Sequence, residues 1–375
     1  MNTAFDPNEL AARVAAIAPQ SARIVTGFDG FVDEMITLVG ERSSPDDFTA
    51  VPDIATFGRM ITAAAGHSSL REIIVNTADP GGCAVNLADG LASLGVAVDC
   101  FATLGDPMHA AFREVAAKCA GFHSWGNEPG RTLAFEFDDG KLMFSAVRQL
   151  ADFTPETVRV FLSDGTYQSA CGAARIIALT DWTLYPHMTA VWRLLQREVF
   201  AALKHRPLFF IDLVDPAGRS ADDILAMAAA LPGFEASGPV TLGLNGNEAN
   251  ILSSLHGLSD ETGEKSPEDT LRQAHDLRLR LGISRVIIHH SRFAVSDAAL
   301  GGVIQRGPYC SSPKKSTGAG DRFNAGWCLG HAHGMGDAAA LTLGCAASGF
   351  FVRHARSATL KELADFLQSW HAGNL

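Results

Sequence analysis

No stretch of this chain approaches the roughly 18 consecutive apolar residues that a membrane-crossing helix needs. The first residues, MNTAFDPNELAARVAAIAPQ, lack a basic start and an apolar middle and carry Asp6 and Glu9, so no secretory leader is expected. Cysteine is present but not in pairs. The 7 cysteines are odd in number and scattered, and none has CxxC spacing. This excludes a disulfide framework or a structural zinc site and fits reduced thiols in a cytoplasm. Basic charge is also scarce: the formal net charge is −11, which argues against partners such as nucleic acid or an anionic membrane. Two common phosphate loops are missing as well. No GxxxxGK[ST] occurs, since Pro313 and Lys314 precede Lys315-Ser316. The dinucleotide fingerprint GxGxxG fails because Phe323 stands where its third glycine belongs. A P-loop kinase and a Rossmann dehydrogenase therefore lose their main support.

What is present is an ordinary globular composition, with 47% hydrophobic and 19% charged residues over 375 positions, enough for a large core. Continuous apolar runs at Ile24–Phe28, Ile176–Thr180, Leu208–Val214, Val240–Leu244 and Arg285–His290 read as strands buried on both faces. Helical stretches alternate with them. Asp222–Leu231 ends at Pro232-Gly233, and Ser266–Leu281 opens on a serine cap followed by proline. The last helix starts near Thr359 with Glu362 at capping-box spacing, and Leu360, Leu363, Leu367 and Trp370 face inward. The alternation predicts an α/β fold with a mostly parallel sheet, against a two-domain α+β chain as the rival. Arg131–Val147 breaks the rhythm with Leu133, Phe135 and Phe137 alternating before Asp139-Gly140, a hairpin signal. With strand-like Met35–Glu41 and Glu72–Asn76 it forms a small antiparallel layer, read as a lid or as a dimerisation sheet. His289-His290 ends a strand, and His331 and His333 lie off a common helix face, so neither pair suggests a metal site.

Four segments carry candidate chemistry. In STGAGDRFNAGW, Ser316–Trp327, Gly318-Ala319-Gly320 can turn several amides toward one point at a helix start. That arrangement is either an anion hole for a transferring phosphoryl group with Asp321 as base, or a plain turn capped by aspartate. In PGGCAVNLADGLASLG, Pro80–Gly95, Gly81 and Gly82 permit close backbone approach. Asn86 presents donor and acceptor to a polyol, or is simply a buried, satisfied amide; Ala88, Leu91 and Ala92 face inward. GFDGFVDE, Gly27–Glu34, follows the first buried strand and places Asp29 and Asp33 where ligands of open α/β sheets bind. LNGNEAN, Leu244–Asn250, puts Asn245 and Glu248 at N-x-x-E spacing. The pair suits a hydrated Mg2+ ion or a helix cap with a first-turn acid.

Taken in order, GFDGFVD, GGCAVN…LASLG, NGNE and STGAGD resemble the ribokinase-like (PfkB) kinases of carbohydrates and nucleosides, over about 24–353. The resemblance implies a single three-layer α/β/α domain over 1–375, with a lid built from about 33–42, 71–80 and 122–150. It implies a cytoplasmic, ATP- and Mg2+-dependent enzyme that phosphorylates a hydroxymethyl group of a sugar or sugar acid, and that can dimerise through the lid. Asp321 would be the catalytic base and Gly318, Ala319 and Gly320 the anion hole. Asn245 and Glu248 would form the Mg2+/phosphate motif. Gly82, Asn86 and an N-terminal aspartate would bind substrate, Asp33 being favoured over Asp29 for the last role.

Three departures qualify that picture. Lys315 replaces an aspartate that helps bind a monovalent cation in many members, so potassium activation is not expected. VIIHHSRFAVS lacks the usual threonine and glycines of the nucleotide side, and His354-Ala355-Arg356 replaces the usual Gly-Ala. The rival readings are a nucleoside kinase, with lid phenylalanines Phe135, Phe137 and Phe144 stacking on a base, and an inactive ligand-binding relative. Arg131 and Arg148 are either a solvated pair or partners for a substrate anion.

Overall fold

The structure is a computed structural model that describes residues 7–258 and 265–375. Fourteen strands are present among the described residues: β1 Arg23–Phe28, β2 Phe31–Arg42, β3 Phe48–Ala50, β4 Ile73–Gly81, β5 Ala97–Ala102, β6 Gly121–Ser124, β7 Gly130–Phe137, β8 Gly140–Ala146, β9 Ile176–Leu179, β10 Leu208–Asp212, β11 Val240–Asn245, β12 Arg285–His289, β13 Phe293–Ala298 and β14 Gly301–Arg306. Nine of them form one sheet in the order β14-β13-β12-β11-β10-β9-β1-β5-β6. From β6 to β12 every pairing is parallel, and only β13 and β14 run antiparallel at one edge.

Successive residues of a strand point to opposite faces, and the two cores follow that period. Ile24, Ile176, Phe210 and Ile287 pack into one core, with Trp327 and Leu367. Their neighbours Val25, Ile177, Phe209, Ile211 and Val286 pack into the other, with Trp192 and Phe234. Helices cover both faces, which makes the three-layer α/β/α fold. The helices begin and end as cap chemistry dictates. Ser266 caps Pro267–Leu281, and the Thr359–Glu362 capping box opens Leu360–His371. In the last helix Leu363 and Leu367 are fully buried, while Leu360 and Trp370 only lean on the core from its rim.

β5 escaped the apolar-run reading because Asp99 interrupts it. That aspartate is buried and pairs with Arg23 at 2.9 Å. The helix expected over 222–231 spans Ala221–Ala228, and a second short helix starts at Pro232.

The lid is a separate five-stranded sheet with β2 at its centre. β4 lies antiparallel on one side of β2 and β7 parallel on the other; β8 extends β7, and β3 pairs with the far end of β2. The third lid segment opens at Gly130, not 122, because β6 over 121–124 pairs with β5 in the main sheet. One lid face is apolar: Ile36, Leu38 and Phe135 bury against Val51, Phe57 and Met60. Phe57 belongs to the helix Ile54–Ala63 and stacks on both Phe135 and Phe137. The opposite face carries Asp33, Met35, Ala134 and Glu136, and it looks onto the main domain.

Candidate active site

The parallel strands all end at the same edge of the sheet, and there the chain gathers carboxylates. Asp29 follows β1, Asp181 follows β9, Asp212 ends β10 and Glu248 lies just past β11. Asp321 joins them from the first turn of the helix Ala319–Ala332. The lid stands above this edge, and between them lies a cleft of about 520 Å3. Asp33, Asp79 and Glu136 line it from the lid; Asn86, Lys315, Thr317 and Arg322 line it from the main domain.

Gly318 caps the helix with φ 87°, a left-handed backbone where a side chain would be strained. The Ala319 amide donates to the Ser316 carbonyl at 3.0 Å and so closes the turn instead of facing a ligand. The amides of Gly318, Gly320 and Asp321 have no partner among the described residues. A donor set at the positive end of a 14-residue helix remains, shifted by one residue from the Gly318, Ala319 and Gly320 trio read in the sequence.

Asp321 is 8% exposed. Burial pushes its carboxyl up to about 8; Arg322 opposes the shift, and Asp212 and Asp29 add to it. Burial likewise raises Glu248 to about 8 and Asp212 to about 6. Asp181 is also raised, by burial and then by the Asp29 charge. These groups repel one another at the carboxyl edge of the sheet.

Asp29 and Asp33, alternatives in sequence, do different things in space. Asp29 is 1% exposed. It accepts hydrogen bonds from the Cys83 amide, the Ala84 amide at 2.8 Å and the Thr180 hydroxyl at 2.7 Å. It therefore caps the helix Cys83–Ser93, and its acceptor capacity is spent on the protein. Asp33 lies in the cleft, half-buried, its pKa raised by burial while Thr132 and the Lys315 charge pull it back. Gly81-Gly82 allows both aspartates to approach. A Cβ on Gly81 would collide with the Asp33 carboxylate, and one on Gly82, at φ 94°, would collide with the Asp29 carbonyl.

Asn86, one turn into that helix, lines the cleft beside Gly318. Asn245 and Glu248 form a complete capping box: the Asn245 amide donates to Glu248 at 2.8 Å and the Glu248 amide to Asn245 Oδ1 at 3.0 Å. Glu248 is thus both helix cap and member of the acidic cluster.

The sequence reading overlooked Asp181, Asp212 and Asn324. The first two were within reach of it, since each stands at the carboxyl end of a buried strand, where such sheets bind ligands. Asn324, one turn beyond Asp321, donates to Asp212 at 2.6 Å, and its Oδ1 is buried without a partner among the described residues. Arg322 is tied down by Asp89 at 3.0 Å and by Ser357 at 3.1 Å, locking the two site helices together. His289 ends β12 next to Gly320 and packs at a tilt against Phe323; burial lowers it to about 4, so it is neutral. Ala355 takes a left-handed conformation at the end of the helix Asp337–His354, and Arg356 turns outward to Glu362.

A three-layer sheet with a strand lid, closing over a glycine turn and a buried aspartate at a helix start, defines the ribokinase-like carbohydrate kinases. The model of the prokaryotic ketohexokinase family matches residues 9–370, and the chain belongs to that family. A ketohexokinase from Haloferax volcanii is 28% identical over 375 residues, 97% of each chain. Among solved structures, a carbohydrate kinase from Agrobacterium tumefaciens superposes with a TM-score of 0.61 at 18% identity, covering 92% of this chain and 97% of that one. A ribokinase from Thermotoga maritima gives 0.61 at 14% identity over 92% and 99%. A fructokinase from Xylella fastidiosa gives 0.60 at 14% over 93% and 99%. These last likenesses establish the fold.

Proposed function

We propose that this carbohydrate kinase transfers the terminal phosphoryl group of ATP to a hydroxymethyl oxygen of a ketohexose, with Mg2+ as cofactor. The observation that carries the proposal is the position of Asp321: buried at a helix start with three unpaired amides, between Thr317 and Arg322, which line the same cleft as the Asp33 carboxylate. Asp33 and Asn86 hold sugar hydroxyls through hydrogen bonds, the carboxylate's being charge-assisted. Asp321 takes the proton of the attacking hydroxyl, its oxygen bonds to phosphorus, and the bond to the ADP oxygen breaks with the electron pair leaving on ADP. The amides of Gly318, Gly320 and Asp321 are aimed at the charge on the moving group.

The ketohexose is favoured by the relative's name and by the lining of the cleft. No aromatic side chain lines it among the described residues, while Phe135 and Phe137 pack on the lid's other face, which removes the stacking platform a nucleoside kinase would use. ATP as donor is supported by the Xylella fastidiosa fructokinase, solved with bound ATP.

The residues fit a magnesium ion. Asp212 and Glu248 offer hard oxygen donors in mutual repulsion, and the orphaned Asn324 Oδ1 points to a missing partner nearby. No group of three or more acidic, histidine or cysteine side chains among the described residues could form an all-protein cage. That matches an ion held largely by phosphates and water; when bound, it neutralises phosphate charge.

A variant tests the sugar side. Asp33→Ala is expected to raise the KM for the ketohexose about tenfold or more, with the KM for ATP little changed, in coupled ADP-release assays. If no ketohexose is phosphorylated by the wild type in a panel that also holds sugar acids and nucleosides, the substrate assignment is wrong.

The acidic cluster also sets a pH dependence. The ordinary values are 3.8 for Asp and 4.5 for Glu, whereas the folded values are about 6 for Asp212 and about 8 for Glu248 and Asp321. A carboxyl raised in the folded state contributes its stability fully below the unfolded value and loses it as pH climbs through the folded value. The chelated protein should therefore melt progressively lower between about pH 5 and 8.5, and added Mg2+ should raise Tm more at pH 8 than at pH 6. A melting temperature that rises across that window would contradict the cluster's electrostatics.

A further inference from the structure

Lys315 sits in the loop that leads into the glycine turn, three residues before Gly318. It lines the cleft and its charge acts on Asp33 across it, yet its ammonium makes no hydrogen bond or ion pair among the described residues. Of the other cations of the cleft, Arg322 is engaged with Asp89 and Lys141 with Glu136 at 3.2 Å, while the charge of Lys314 acts on His354 and not on Asp33. The wall opposite is acidic, with Asp33, Asp79 and Glu136. The cleft is thus polarised, with carboxylates for sugar hydroxyls on the lid and, on the other wall, an uncommitted ammonium on the loop that leads to the free amides of Gly318, Gly320 and Asp321.

A flexible four-carbon stem that starts next to those amides can place its charge on an anion they bind, and a solvated ammonium loses little by doing so. Among the described residues no carboxylate of the cleft comes within ion-pair distance of it, although the Asp33 carboxylate feels its charge. We propose that Lys315 is a catalytic residue that donates to a non-bridging oxygen of the phosphoryl group in transit. Its charge is felt most when that group separates from ADP and before it joins the sugar oxygen. No proton or electron changes hands at Lys315; it stays an ammonium throughout.

This inference rests on the phosphoryl-transfer reading above, and its test is arranged so that the two fail separately. Lys315→Met and Lys315→Arg are compared with the wild type, and because Lys315 is exposed and unpaired both should fold normally. With ATP and ketohexose, Lys315→Met should lose about 100-fold in kcat, the scale of removing one preorganised donor, with the sugar KM within about threefold. Lys315→Arg should recover most of that loss. Independently of turnover, ADP with tetrafluoroaluminate, a mimic of the phosphoryl group in flight, should raise the wild-type Tm above that with ADP alone. In Lys315→Met that extra shift should vanish while the ADP shift persists. A Lys315→Met enzyme with kcat within twofold of wild type, or with an unchanged fluoroaluminate shift, overturns the proposal. So does a raised sugar KM at constant kcat, which would make Lys315 a sugar contact. A wild type that phosphorylates no ketohexose sinks the functional reading instead, and the fluoroaluminate comparison still judges Lys315.

Discussion

Asp321→Asn is expected to lower kcat by roughly 10²- to 10⁴-fold, the usual contribution of a positioned general base. The substitution keeps the shape of the side chain at the third position of the helix, so Gly318 and the free amides stay where they are. What it removes is the ability to accept the hydroxyl proton. Nucleotide affinity should remain within a few-fold, because the amides proposed to meet phosphate belong to the backbone. The variant should be no less stable than the wild type near pH 8, since burial and the neighbouring Asp212 and Asp29 charges already disfavour this carboxylate. Stopped or steady-state ADP release, nucleotide titration and thermal melts give the three readouts. Turnover at the wild-type rate would remove Asp321 from the chemistry, whatever its geometry.

Asp29→Ala should hurt the fold more than the substrate. Three donors, the Cys83 and Ala84 amides and the Thr180 hydroxyl, lose their acceptor in a site that water does not reach. Buried donors left unpaired cost about 1–3 kcal/mol each, and relaxation of the helix end recovers part of that, so a net loss of about 3 kcal/mol is expected. Tm should fall by several degrees. In the protein that remains folded, the KM for sugar should rise less than in Asp33→Ala. An Asp29→Ala protein with wild-type Tm but a tenfold higher sugar KM would instead assign Asp29 to the sugar. The contrast between the two aspartates matters because they lie four residues apart in one motif and look interchangeable there.

Much of the architecture was legible in the chain. A run such as LFFID is apolar on both faces, and only a strand covered on both sides by helices can bury it; five such runs with helices between them leave little but a parallel α/β sheet. Lid strands were legible too, because the large apolar residues Leu133, Phe135 and Phe137 alternate with the smaller or polar Thr132, Ala134 and Glu136. β5 was hidden, since a charge inside a strand breaks the local pattern and Arg23, its partner, is 76 residues away. The site residues divide along the same line. GAGD at a helix start offers either an anion hole or a capped turn, and that much is legible because glycine conformations and helix ends are local properties.

Which aspartate caps a helix and which meets the cleft is not local: Asp29 and Asp33 are told apart only when the helix from Cys83 docks on one of them. The amide of Ala319 is withdrawn by a turn hydrogen bond that no residue type foretells, and Asp181, Asp212 and Asn324 become neighbours only once β9, β10 and the late helix are side by side. Patterns of period two and caps at helix ends depend on residues a few positions apart, so the chain alone carries them. The charge balance of a site depends on residues more than a hundred positions apart, and only the folded sheet sets those distances.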